Sequence, residues 1–113
     1  MKCFVAAKIH EIRVTAKALD YEGSVAIDAA LLQAVRIEPF EQVHVINKTT
    51  GARWVTYAIP GGQGVFSLNG GGARLGEIGD TCIVLTYAWQ PYFFEARVIY
   101  CAEDNSIAKR LVY

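Results

Sequence analysis

Leu19-Asp20-Tyr21-Glu22-Gly23-Ser24-Val25-Ala26-Ile27-Asp28 is the stretch from which the rest of the chain is read. Gly23-Ser24 stands in its middle. Ser24 to Ile27 is a short β-type run. Asp28 reads as a helix N-cap, because its carboxylate can accept from the backbone N–H groups that a first helical turn leaves free. The helix it opens runs from Ala29 to Val35, with Leu31, Leu32 and Val35 on the apolar face. Ile37-Glu38-Pro39-Phe40 closes it, since proline disfavours helical geometry at the preceding residue. No other stretch carries a comparable helix signature.

Upstream, residues 3–15 read as a strand. Lys8 and His10 share a parity with Ile12 and Val14, so unbroken alternation places all four on one side, the inward one. Residues 16–20 read as a connection. Downstream the chain is almost entirely β. Gln42 to Asn47 and Arg53 to Ile59 form a hairpin about Thr49-Thr50-Gly51. Pro60 to Gly64 is a loop, and Val65 to Leu68 is a strand that runs into Asn69-Gly70-Gly71-Gly72. Glu77 to Asp80 is a turn, and Thr81 to Tyr87 is a strongly apolar strand. Glu95 to Ala102 and Ile107 to Tyr113 complete the set. Short strands, glycine-rich corners and one small helix predict a mainly β fold, a closed barrel formed by residues 1–113 as a single domain.

Composition narrows the function. At 113 residues the chain supports one core, and 53% hydrophobic content excludes disorder. Eleven basic residues balance eleven acidic ones, so no charge asymmetry calls for nucleic acid or an anionic membrane surface. The apolar start, Met1 to Ala7, is interrupted by Lys8 and His10 and is too short for a signal segment or a membrane span. Cys3, Cys82 and Cys101 are an odd set without CxxC spacing, which reads as free, buried thiols in a reducing, cytoplasmic setting. No metal-ligand spacing surrounds His10 or His44, and no GxSxG, Walker or Rossmann pattern is present.

What remains is a set of polar residues on apolar strands: Lys8, Arg53, Thr56, Tyr57, Asn69 and the Gly23-Ser24 pair. Arg53 and Tyr57 share a strand face. Singly, each reads as ordinary structure: a solvated cation, a core tyrosine, a glycine corner.

In combination they resemble a family. Lys8-Ile9-His10, Val14-Thr15, Leu19, Tyr21-Glu22-Gly23-Ser24, Ala26-Ile27-Asp28, Gly51, Arg53, Thr56-Tyr57-Ala58-Ile59, Asn69-Gly70 and Ile78-Gly79-Asp80 match aspartate 1-decarboxylases, in the same order, over residues 1 to about 87. The resemblance implies a double-psi β-barrel with one or two short helices, and a homotetramer with active sites at subunit contacts. It implies self-cleavage between Gly23 and Ser24, with a covalent pyruvoyl cofactor made from Ser24. That group would form a Schiff base with L-aspartate and draw electrons from the breaking C–CO2 bond, giving β-alanine for pantothenate synthesis. Tyr57 carries over as proton donor. Lys8 and Arg53 carry over as cations for the substrate carboxylates, Thr56, Gly70, Gly71 and Gly72 as substrate contacts, and Asn69 as a polar group beside the reactive carbonyl. Glycine suits position 23 through an unhindered carbonyl and a strained backbone.

The chain also departs from the family. Gly71 and Gly72 stand where alanines are common, and Trp54 where Phe or Leu is usual. The 60–65 loop is short, and Ala88-Trp89-Gln90-Pro91-Tyr92-Phe93-Phe94 replaces an acidic, Met- or Glu-rich segment. Two alternatives therefore stand beside the decarboxylase reading: an unprocessed, non-catalytic barrel acting as a binding module, and a decarboxylase of another small amino acid.

Overall fold

The computed structural model describes residues 1–113. Its spine is β1, Lys2–Arg13, which lies antiparallel to β7, Thr81–Gln90, on one side and parallel to β8, Arg97–Cys101, on the other. β2 is Ala16–Ala18, β3 Ser24–Asp28, β4 Gln42–Asn47, β5 Arg53–Gly61, β6 Phe66–Asn69 and β9 Ile107–Val112. The hydrogen-bonded order is β2-β6-β3-β5-β4-β7-β1-β8-β9. β1 and β2 are consecutive in the chain but lie in distant parts of that order. The corner between them joins the parts: Val14 N–H donates to Asp80 O at 3.0 Å, and Thr15 N–H to Phe66 O at 2.8 Å. The result is a mixed, closed sheet of the double-psi β-barrel type.

Alternation of apolar residues fills the barrel. Ile9, Ile12, Val25, Ile27, Val43, Val45, Phe66, Leu68 and Val84 are fully buried. Each such side chain contributes roughly 1.5–3 kcal/mol by leaving water. The expected single parity along β1 does not hold. Glu11 takes φ 61 and the β1–β7 register shifts between Ile9 and Ile12. This bulge inverts the alternation, so Ala7 and Ile9 point inward with Ile12, while Lys8 and His10 are only partly buried on the other face.

α1, Ala29–Val35, has the bounds its pattern predicts and buries Leu31, Leu32 and Val35. Asp28 caps it: Oδ1 accepts from Ala30 N–H at 2.8 Å. Its Oδ2 accepts from Gly64 N–H at 2.8 Å, so one carboxylate ties the helix start to the loop before β6. The helix stops before Pro39 is reached, because Arg36 turns left-handed at φ 60. Losing both Asp28 bonds removes a cap and a charged acceptor, together about 2 kcal/mol. Asp28→Ala should therefore melt about 10 °C below the parent. Equal melting temperatures would show that the tie carries no weight.

Two further expectations change. Residues 16–18 form β2, which pairs parallel with β6, and Gly70–Leu75 forms a 3-10 helix where a plain corner was expected. Asn105, at φ 64 and 1% exposed, joins the 102–106 turn to β1. Its side chain accepts from Arg13 N–H at 2.8 Å and donates to Arg13 O and Gly64 O at 2.9 and 3.0 Å. No helix is long and apolar enough to cross a membrane.

Candidate active site

Ser24 is the first residue of β3, and that position buries it to 2% exposure. The antiparallel β3–β6 ladder sets it opposite Asn69. Asn69 Nδ2 donates to Ser24 Oγ at 3.1 Å. Ser67 lies two residues earlier on the same face of β6, and its hydroxyl donates to Asn69 Oδ1 at 2.9 Å. Ser67 thus turns the amide so that its N–H side faces Ser24. Ser24 Oγ makes one further, long contact as donor to Glu22 O at 3.4 Å. A buried hydroxyl beside a peptide carbonyl, with an oriented amide donor on its oxygen, is suited to nucleophilic attack. The donor stabilises charge that develops on Oγ as its proton leaves.

The glycine requirement lies across from the Gly23-Ser24 bond. Gly23 does not take a positive φ, and a Cβ built there meets nothing within 4 Å. The expected strain at Gly23 is therefore absent. Gly70 carries it, at φ 65, and a Cβ there would stand 2.7 Å from Gly23 Cα, 2.8 Å from Gly23 N and 3.0 Å from Tyr21 O. Gly70 is the wall against which the 21–23 backbone rests.

Thr56 and Tyr57 lie on β5, the strand beside β3. The parallel β3–β5 ladder starts at Val25 and Ala58, so Ser24 and Tyr57 each stand one residue before it. The Tyr57 ring stacks on Phe40, centroids 6.2 Å apart. Phe40 is held at φ 70 by its N–H, which donates to Ala58 O at 2.7 Å. A shallow groove of about 510 Å³ runs past Phe40, Gln42, Val55, Thr56 and Tyr57; Ser24 does not line it.

Neither Lys8 nor Arg53 is hydrogen-bonded to Ser24, whose hydroxyl contacts only Asn69 and Glu22. Arg53 is exposed, four residues before Tyr57 on β5, or roughly 13 Å along the strand. Lys8 is aligned with Leu85, Leu85 with His44, and His44 with Val55, one row across β1, β7, β4 and β5. Lys8 thus shares the outer face of Val55 and Arg53. Neither cation is ion-paired: the salt bridges are Lys17–Glu77, Lys48–Glu11 and Arg97–Glu95.

The remaining titratable candidates are structural. His10 stacks on Tyr100 at 4.5 Å; burial first and the Lys8 charge second lower its pKa. Burial pushes the Cys82 and Cys101 thiols up to about 12 and about 11, which leaves them protonated and unreactive. Cys3, expected to be buried, is exposed. No three His, Cys, Asp or Glu side chains are gathered as metal ligands.

A sequence profile described as aspartate decarboxylase matches residues 1–108. The chain belongs to the aspartate decarboxylase family. It is 46% identical over 108 residues to an aspartate 1-decarboxylase of Xanthomonas campestris pv. campestris, covering 90% of this chain and 86% of that one. The aspartate 1-decarboxylase of Syntrophobacter fumaroxidans is 51% identical over 89 residues, 77% of this chain and 72% of its own. That of Geobacillus sp. strain WCH70 is 53% identical over 87 residues, 75% and 68% respectively.

Two of the expected departures, Gly72 and Trp54, are one feature in space. A Cβ on Gly72 would lie 2.9 Å from Trp54 Nε1, so the larger indole occupies the space of the missing methyl. A Cβ on Gly71 meets nothing within 4 Å. The altered 88–94 segment lies within the matched range. Its first part extends β7, with Ala88, Trp89 and Gln90 paired to Phe4, Cys3 and Lys2. Beyond it Phe93 packs on Phe4 at 5.9 Å. Sequence reasoning missed Ser67, although its parity with Asn69 on a strand already recognised was the available signal.

Proposed function

We propose that this member of the aspartate decarboxylase family cleaves itself between Gly23 and Ser24 and converts L-aspartate to β-alanine and CO2 in the cytoplasm. The observation that carries the reading is the buried Ser24 hydroxyl, held by Asn69 beside a peptide bond that backs onto Gly70. Ser24 Oγ attacks the Gly23 carbonyl carbon, and its proton passes to the departing nitrogen. An ester replaces the amide. Elimination releases Gly23 as a carboxylate, and hydrolysis releases ammonia and leaves a pyruvoyl group at residue 24. The surroundings fit that outcome: the 24 side chain is shielded from water and has an amide donor on its oxygen. The pyruvoyl carbonyl supplies an electrophile that accepts the electron pair of the breaking C–CO2 bond.

The chain's own groups do the rest. Tyr57 gives its phenolic proton to the carbon that loses CO2. Thr56 and the Gly70-Gly71-Gly72 backbone hold the substrate. Lys8 and Arg53 bind carboxylate oxygens, Arg53 through its planar fork. Lys8 and Arg53 stand on the outer face of the sheet, away from the buried Ser24, which supports a homotetramer in which that face meets the site of a second copy. The exposed Phe40, Val55, Tyr87 and Trp89 near this face support the same assembly.

Intact-mass measurement tests the reading. After incubation, two pieces, 1–23 and 24–113, are expected. A chain that stays whole through prolonged heating leaves the unprocessed-barrel reading instead. Tyr57→Phe should cut itself normally and turn over about 10²–10⁴-fold more slowly. Undiminished turnover would remove Tyr57 from the acid role.

A further inference from the structure

Lys8 has a partner that differs from those of the ion-paired cations. Its Nζ donates to the Tyr113 hydroxyl at 3.1 Å and lies 5.4 Å from the centre of that ring. No carboxylate pairs with Lys8, whereas Lys17, Lys48 and Arg97 each have one.

The choice of partner matters chemically. A carboxylate neutralises the ammonium and competes with any incoming anion. A phenol oxygen accepts a hydrogen bond from one of the three ammonium N–H groups and keeps its own O–H to donate. The two groups together thus present N–H and O–H donors a short distance apart, with the positive charge intact.

Both residues have backbone positions set by hydrogen bonds. Lys8 sits mid-strand in β1, paired to Leu85 on one side and Val98 on the other. Tyr113 follows β9 directly. Its N–H donates to Ala96 O at 2.9 Å, just outside the β8–β9 ladder that pairs Arg97 with Val112. The aromatic face over the ammonium fixes the lysine further. A pair of donors already held together suits an anion site, since part of the side-chain ordering precedes binding.

We propose that Tyr113 is a specificity residue: its hydroxyl and Lys8 Nζ together grip one carboxylate of a dicarboxylic substrate. The inference rests on the reading of Lys8 as a substrate cation. It adds a second donor that sequence motifs did not indicate.

Succinate, a dicarboxylate without the reacting amine, tests the grip by calorimetry on the assembled, processed protein, with propionate as the monocarboxylate control. Tyr113→Phe keeps the ring over Lys8 and removes only the hydroxyl. The residue is 47% exposed, so the fold is not at stake. Succinate should bind this variant about 5- to 20-fold more weakly, as expected for a partly solvated bond to a charged group. Propionate, which can use either carboxylate position, should lose less affinity than succinate. KM for L-aspartate should rise by a similar factor, with kcat within about twofold and self-cleavage at the parent rate. If Tyr113→Phe binds succinate like the parent while Lys8→Met loses it, Tyr113 is not part of the grip and the Lys8 assignment survives. If the parent protein itself does not bind succinate, the grip and the dicarboxylate reading fall together.

Discussion

Ser24→Ala yields one uncut chain of 113 residues and no β-alanine above background. The variant is nearly isosteric and removes only the oxygen that Asn69 and Glu22 contact. Loss of one bond to a neutral amide costs about 1 kcal/mol, so the barrel should stay folded. The chemistry has no substitute. Without Oγ there is no acyl shift, hence no electrophile to take electrons from the substrate. The expected loss of turnover is about 10⁶-fold or more, the low end of what enzymes provide over the uncatalysed reaction. Intact mass reads the cleavage and product assay reads the turnover, on the same sample. β-Alanine from the uncut variant would refute the pyruvoyl mechanism outright.

Gly70→Ala is expected to be nearly as damaging by a different route. The added methyl would sit 2.7–3.0 Å from three backbone atoms of residues 21 and 23, at a φ of 65. The left-handed conformation costs a non-glycine residue about 1–2 kcal/mol, and forced overpacking about 1–3 kcal/mol more. About 3 kcal/mol corresponds to a melting point lower by roughly 15 °C. The methyl also displaces the Tyr21–Gly23 backbone, and with it the Gly23 carbonyl that Ser24 attacks. Cleavage should slow by at least about 100-fold, the cost of a misplacement on the ångström scale. Gly71→Ala is the matched control, because its methyl meets nothing and its φ is not left-handed. Equal cleavage rates in the two variants would show that Gly70 is only a corner.

Local signals made much of the fold legible. The Asp28 cap and the spacing of Leu31, Leu32 and Val35 marked α1 with its observed bounds. Alternation marked β4 and β5 and the hairpin between them. The faces of β1 were misread because Glu11 adopts φ 61, and a glutamate in that conformation leaves no trace in composition or period. β2 escaped because three residues are too few to show alternation. Its pairing with β6 is a long-range event. The site was legible only as a set of residue types. What unites Ser24 with Asn69 is strand register across 45 residues. What sets Lys8 and Arg53 on the outer face, away from Ser24, is register across β1, β7, β4 and β5, which residue spacing does not encode.

The pairing of β1 has a further consequence for the proposed cleavage. Once the 23–24 bond is cut, residues 1–23 are a separate peptide, yet their twelve-residue strand lies between β7 and β8 in the sheet. Ile9 and Ile12 anchor it in the barrel interior. The folded subunit then becomes a complex of two unequal pieces, the smaller retained by its ladders and buried side chains alone. Before the cut, closing the barrel of one subunit is unimolecular. After it, recovery of the barrel becomes an association reaction, and its thermal midpoint rises with protein concentration. The proposed cut thereby makes each barrel an obligate pair of fragments.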